Sequence, residues 1–330
     1  MQISGCRFLI TGGASLVGSH LAEELLDNGA AEVIIYDNLS FGAESALGHL
    51  KGRQGLTIRR GDVMKLHDLI DAMKGVDGAF SFAAFMTLPM SRDPWTGLDV
   101  NIRGHQNLLE ACRVNGAKKV IFASSSAAYG YGLKGTITEE TPFHSVGVPP
   151  AAVIYGATKI IGEQLCADYG AKYGLDWAVL RFSTVYGERQ HYRAANALYI
   201  IEAYDRVARG EPPVVYGDGN ETKDFVYAGD VARACRMAMG SDVSREIMNI
   251  SGGEEITTKA LAELVLRLTG SNLKVEHRDP ASGGVRLTSA HAFRYDNSKA
   301  KRVLGWEPQV RIEEGVRRLI EWRKANPGGQ

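Results

Sequence analysis

The 330-residue chain reads as an α/β protein, a doubly wound parallel sheet carrying a smaller, partly discontinuous lobe. Three observations predict this. An apolar run, Arg7 to Thr11, meets a glycine-rich turn, Thr11-Gly12-Gly13-Ala14-Ser15-Leu16-Val17-Gly18, and then a helix-spaced segment. Short apolar runs and helix-spaced segments go on alternating, which calls for a parallel sheet covered on both faces. From about Gly187 the rhythm changes to longer polar links between helices.

The first unit is a strand over Arg7–Thr11, a helix over Val17–Leu26 closed by Asn28-Gly29, and a second strand over Glu32–Tyr36. Further strands are expected near Leu56–Arg59, Ala79–Ala83, Lys119–Ala123, Trp177–Arg181 and Glu246–Ile250. Helices are expected over Asp99–Asn115 and Val153–Tyr173, and beyond them near Ala194–Arg209, Thr257–Thr269 and Glu313–Lys324. The chain therefore divides into a first domain, 1–186 with roughly 223–252, and a lobe made of 187–222 and 253–330.

Composition excludes several classes of function. The 38 basic residues balance 38 acidic ones without a long run of either sign, which argues against a nucleic-acid or membrane-surface protein. No apolar run approaches the ~20 residues that a bilayer-spanning helix needs. Cys6, Cys112, Cys166 and Cys235 lack metal-ligand spacing and suit the interior of a protein in a reducing compartment, so a cytoplasmic location is expected. His67, His105, His144 and His191 are dispersed, and no metal site is expected.

The segment VIYGATKIIGE carries the first chemical signal. Tyr155 and Lys159 are four apart, which puts them on one helical face one turn from each other. A phenol titrates near ~10, and a fixed positive charge beside it favours the phenolate. The pair alone is a short and common pattern. It gains weight from Ser124, Ser125 and Ser126, which follow an apolar strand at the carboxyl edge of the expected sheet, where ligands bind. Asp37 ends the second strand, about 20 residues past the glycine turn, where a dinucleotide-binding unit has its ribose acid.

The blocks FLITGGASLVGSH, IIYDNLS, RRGDV, VNIRGHQNLLEA, VIFASSSAAYG, YGATK, RFSTVYGERQ, GDGNETKDFVYAGDVA and NSKAKRVLGWEP run in order across nearly the whole chain. Through them the chain resembles the extended short-chain dehydrogenase/reductase superfamily and, within it, the NAD-dependent sugar-nucleotide epimerase/dehydratase group. The resemblance implies a Rossmann-type first domain, a substrate-binding lobe and NAD as cofactor. It implies that Gly12 makes the tight turn, that Gly18 permits close packing of helix on strand, and that Leu16 and Val17 complete the phosphate loop. Ser15 stands where the family usually has a glycine, and its hydroxyl can donate to a phosphate oxygen. Asp37 would accept from the adenosine ribose and repel a 2′-phosphate. Asn38, Ser40 and Gly42 would lie along the adenosine side, and Asp62 and Val63 would edge the adenine. Ala83, Ala84 and Asn101 would line the path to the nicotinamide, and Phe182 belongs to the same cofactor set.

The resemblance also implies a triad. Tyr155 would be the base that takes a hydroxyl proton, Lys159 would hold the nicotinamide ribose and lower the phenol's pKa, and Ser125 would orient the reacting oxygen. Related dehydratases carry an Asp-Glu pair directly after the serine, and related uronate decarboxylases a glutamate. This chain has Ser126 and Ala127, the 4-epimerase pattern.

On the substrate side, with Ser125 and Ser126, Thr184 replaces an asparagine that contacts the diphosphate, and Lys223 replaces an arginine. Asn196 and Tyr216 fall where relatives hold the diphosphate and stack the base. Arg286 is a candidate for a phosphate contact, Arg189 and Arg193 are candidates for a C6 carboxylate, and Arg294 reads as surface. The resemblance further implies a nucleotide-sugar substrate and a homodimer through the helices Asp99–Asn115 and Val153–Tyr173. Two other readings are open: a net oxidoreductase on a sugar or nucleotide sugar, and an NAD-sensing scaffold, which would have no need of an activated phenol.

Overall fold

Strand β1 (Arg7–Thr11) is apolar without alternation because both its faces are covered, Phe8 through Thr11 all being buried. The computed structural model describes residues 1–190, 198–279 and 293–326. Helix α1 (Leu16–Asp27) begins at its N-cap Ser15, whose Oγ accepts from the Gly18 N–H, and ends at Asn28. Then come β2 (Glu32–Asp37), β3 (Leu56–Arg60), α2 (Leu66–Ala72) and β4 (Gly78–Ser81). Two short helices, α3 (Thr87–Arg92) and α4 (Pro94–Leu98), lead through a π-helical stretch at Asp99–Gly104 into α5 (His105–Asn115). Strand β5 (Lys119–Ser125) and the short β6 (Gly135–Ile137) precede the long α6 (Pro150–Tyr173), which starts on a proline and stops at left-handed Gly174.

Next are β7 (Asp176–Phe182), β8 (Thr184–Tyr186), α7 (Tyr199–Ala208), β9 (Val214–Tyr216), β10 (Thr222–Tyr227) and α8 (Ala228–Gly240). The chain continues through β11 (Glu246–Ile250), β12 (Glu255–Thr257), α9 (Thr258–Thr269), β13 (Glu276–Arg278), β14 (Phe293–Tyr295), α10 (Ser298–Leu304) and α11 (Ile312–Ala325).

Seven strands form one sheet in the order β11-β7-β5-β4-β1-β2-β3, with every pairing parallel. Strand order reverses at β1, which pairs β2 on one side and β4 on the other. In such a sheet the crevice outside the carboxyl ends at the reversal is the ligand site. One face is covered by α1 and α8, through Leu21, Leu25, Val231 and Cys235. The other is covered by α2, α5 and α6, through Leu69, Leu109, Cys112 and Cys166. A separate core joins α7, α9 and α11, where Ile200, Tyr204, Leu261, Val265 and Leu319 pack on Tyr186 and Phe225.

The seven sheet strands fall where the sequence predicts them, and β11 keeps its bounds to the residue. The three-residue strands β6, β8, β9 and β12 to β14 were not expected, since so short a run shows no period. Of the helix expected over Ala194–Arg209, α7 accounts for Tyr199–Ala208, and residues 194–197 lie outside the described ones. Among the described residues no helix is long and apolar enough to cross a membrane.

Candidate active site

The turn after β1 is built for close approach. Gly12 has φ +68°, and a Cβ on it would lie 2.7 Å from the backbone nitrogen of Ala83. A Cβ on Gly18 would lie 2.6 Å from the Cα of Gly13. The N-terminus of α1 therefore opens directly on the crevice, with Ser15 capping it and its hydroxyl hydrogen left to donate outward. Asp37 is fixed at the end of β2 by two backbone donors, Ala14 N–H at 3.0 Å and Leu39 N–H at 2.8 Å. Burial pushes its carboxyl up, against the lowering effect of those two bonds.

These residues line a cavity of about 230 Å³ along the carboxyl ends of β1, β2 and β4. Gly12, Ser15, Leu16, Val17 and Asp37 form one end of its wall together with Asn38, Ser40 and Gly42. Val63, Ala83, Ala84 and Phe182 continue it. Three of the expected residues stand behind the wall. Gly18 packs under the turn. Asp62 accepts from the Met64 N–H through its side chain and from the Tyr36 hydroxyl through its carbonyl. Asn101 lies in the π-helical stretch, where its amide bonds both the N–H and the carbonyl of Phe85 and the hydroxyl of Thr158. That amide shapes the Phe85 segment and does not face the cavity. Phe41 and Phe85, in edge contact at 4.8 Å, also line it and had no motif to announce them.

A second cavity, about 690 Å³, lies beyond the first. Met86, Ser125, Tyr155 and Ser183 line both, so the serine and tyrosine of the expected triad stand where the two spaces meet. Lys159 lines only the smaller cavity, and Thr184 and Lys223 only the larger. Ser125 ends β5, accepts from the Ala127 N–H at 3.1 Å and lines both cavities beside the Tyr155 phenol. Burial pushes that phenol up to about 12, while the Ser125 hydroxyl nearby works to lower it. Lys159 donates to the Ala123 carbonyl at 2.8 Å, and burial lowers its ammonium to about 8 against the pull of Glu163. The expectation that Lys159 acidifies Tyr155 is thus corrected for this structure: burial is the larger effect on both groups, and the ammonium points at a carbonyl.

Beneath the triad, Glu163 accepts from Ser124 at 2.6 Å and from both Nε and Nη2 of Arg181. Ser124 is therefore spent on the core, and Ser126 lines the larger cavity, as does Tyr295. Lys223 lies 4.9 Å over the Tyr199 ring on the far wall. Asp224, deeply buried, also reaches this cavity; it accepts from Ser183 Oγ at 2.6 Å and from the Gly252 and Gly253 N–H groups. Burial pushes its carboxyl up to about 6.

Tyr216 sits in a third cavity, about 290 Å³, beside Arg278; Tyr199 and Glu202 line both it and the larger one. Arg189 does not line the larger cavity: it pairs with Glu23 of α1 at 2.9 Å, which corrects its candidacy for a substrate carboxylate. Arg294 is exposed, as expected. Asn196, Arg193 and Arg286 lie outside the described residues. Tyr131, Ser183, Asp224 and Tyr295 also line the larger cavity; Ser183 and Asp224 stand directly beside the expected Thr184 and Lys223, and only the packing shows that they reach the site as well. Among the described residues no His, Cys, Asp and Glu grouping could hold a metal ion.

Comparison with known proteins follows this geometry. The model of the NAD dependent epimerase/dehydratase family matches residues 8–251. A putative UDP-glucose 4-epimerase of Methanocaldococcus jannaschii is 33% identical over 320 residues, covering 96% of this chain and 98% of that protein. The crystal structure of UDP-glucose 4-epimerase from Thermotoga maritima with UDP-glucose superposes with a TM-score of 0.85 at 31% identity, covering 97% of this chain and 99% of the other. A dTDP-glucose 4,6-dehydratase of Streptomyces venezuelae with NAD bound superposes equally well, TM-score 0.85, at 28% identity and 98% coverage of both chains.

Proposed function

The chain belongs to the NAD-dependent epimerase/dehydratase family, and we propose that it inverts C4 of a nucleotide-linked hexose through a transient 4-keto sugar. NAD is the cofactor, and the smaller cavity fits it: a glycine cradle that any Cβ would fill, a capped helix N-terminus for the diphosphate, and a fixed carboxylate at the ribose end. When bound, NAD supplies reversible hydride acceptance and a positive ring that favours a nearby phenolate. The chain's residues do the rest. Ser125 orients the O4 hydroxyl, and Tyr155 takes its proton and later returns it. Lys159 holds the ribose and excludes water from beneath the phenol.

The observation that carries this reading is the junction of the cavities. Ser125 and Tyr155 line both, and the next side chains on the sugar side are the neutral Ser126 and Ala127. Elimination of water or loss of carbon dioxide calls for an extra acid or base directly after Ser125, where this chain has none; of the carboxylates that line the larger cavity, Asp224 is taken up by Ser183, Gly252 and Gly253, and Glu202 lies where that cavity meets the third. Thr184 and Lys223 suit the diphosphate. Tyr216 suits the base, in a cavity whose Arg206 and Arg278 are each balanced by a glutamate. In this reading the core of α7, α9 and α11 belongs to the substrate-binding lobe, 187–222 and 253–330.

We infer a homodimer through α5 and α6, supported by the exposed Val114, Ile161 and Tyr173 on those helices. Sedimentation tests it, and a monomer at micromolar concentration removes it.

The test of the reaction is incubation with UDP-glucose, UDP-galactose, their N-acetyl and uronate forms, followed by NMR. The expected product has the substrate's mass, an inverted C4 and any C4 deuterium still at C4. A product lighter by water or carbon dioxide, or net accumulation of reduced dinucleotide, overturns the proposal.

A further inference from the structure

Arg189 carries two costs on one residue. Its backbone is left-handed, φ +70°, a conformation that residues other than glycine rarely adopt. Its Nε is buried and has no hydrogen-bond partner among the described residues. Such costs persist only where the surroundings over-determine the conformation. Here the surroundings are the cofactor helix. Nη1 of Arg189 donates to Glu23 at 2.9 Å and lies against Nε2 of His49. Glu23 is held ionised, its carboxyl lowered to about 2 by His49 first and by Arg189 as well. One turn earlier on α1, His20 stands 3.7 Å from Glu188, whose carboxylate also takes the Tyr227 hydroxyl. Residue 189 is thus tied to α1 by an ion pair, and residue 188 lies against the same helical face one turn earlier.

What this arrangement delivers is the next residue. Gln190 is almost fully buried and lines the dinucleotide cavity, together with Leu16, Val17 and Val185. We propose that Arg189 is a positioning residue for the cofactor: its ion pair with Glu23 holds a left-handed backbone that presents Gln190 to the bound dinucleotide and slows its release. Because the anchor lies on the helix whose N-terminus meets the diphosphate, the two walls of the cavity are locked to each other. A right-handed residue at 189 would turn the chain, and Gln190 with it, away from that wall.

The test measures NAD affinity and dissociation rate on protein stripped of dinucleotide, beside its thermal unfolding. Arg189→Gly permits the backbone but deletes the ion pair, and Gln190→Ala deletes the presented amide. Each is expected to weaken NAD binding about tenfold, with most of the change in the dissociation rate, and the double variant is expected to lose no more than either alone. Affinity within twofold of wild type in Arg189→Gly overturns the proposal. So does an additive loss in the double variant, since Arg189 would then not act through Gln190. Should Arg189→Gly fail to fold, Glu23→Gln is read against the same two outcomes.

Discussion

Lys159 lies one helical turn from Tyr155, its Nζ 5.8 Å from the ring centroid, and burial drives the two groups toward neutrality from opposite sides. The phenol rises to about 12 and the ammonium falls to about 8. In the proposed reaction the positive ring of bound NAD supplies the further charge that favours the phenolate of Tyr155.

The lysine half of this pair costs stability. An unfolded lysine keeps its ordinary value, so between pH 8 and 10.5 the unfolded chain binds more protons and stability rises with pH. Below pH 8 the whole penalty, about 3 kcal/mol, is present. Lys159→Met removes it and leaves the Ala123 carbonyl without that donor, which gives back ~1–3 kcal/mol. The dinucleotide-free variant should melt no lower than wild type at pH 7 while turnover collapses. A melting temperature lower by more than ~5 °C would contradict the account.

Tyr155→Phe keeps the ring and its packing but removes the proton acceptor. NAD binding and the fold should survive, and turnover should fall by at least ~10²-fold. Near wild-type turnover in the folded variant removes Tyr155 from the mechanism.

Asp37 should set cofactor choice. Its carboxylate is pinned by Ala14 and Leu39, so it cannot swing away from a 2′-phosphate. Wild type should bind NAD at least ~10-fold tighter than NADP, a difference of about 1.4 kcal/mol. Equal affinities in calorimetric titration would refute this role.

The parts of the site legible in the sequence are those made within one local unit. Gly12, Ser15, Gly18 and Asp37 belong to a single βαβ, and Tyr155 and Lys159 to one helix, so spacing alone places them. Buried sheet strands such as β1 were legible for the same reason, through uninterrupted apolar runs like Phe8-Leu9-Ile10. What was not legible depends on long-range contact. Arg189 looked available for a substrate carboxylate, and its partner Glu23 lies 166 residues away. Asn101 sits in a matching block, yet its amide turns inward to Phe85. The pKa order of Tyr155 and Lys159 depends on burial, which no four-residue spacing reveals.

Asp224 gives a pH prediction whose two consequences run in opposite directions. Ionised, it accepts from Ser183, Gly252 and Gly253 and so fixes Ser183, which lines both cavities. Protonated, one oxygen must carry a hydrogen that faces a donor, and one of the three bonds is lost. With the folded value at about 6, kcat/KM should fall below pH 6. The stability effect has the other sign. The unfolded carboxyl keeps 3.8, so between pH 6 and 3.8 the folded chain binds more protons, and this group's contribution grows as pH falls. Above pH 6 its burial as a carboxylate costs about 3 kcal/mol. Asp224→Asn cannot titrate and meets one N–H donor with its own amide. Its kcat/KM should be lower at pH 7.5 and lack the acid limb near pH 6, with NAD affinity little changed. An acid limb that persists unaltered in a folded Asp224→Asn enzyme would assign that titration to another group and leave Asp224 a structural role alone.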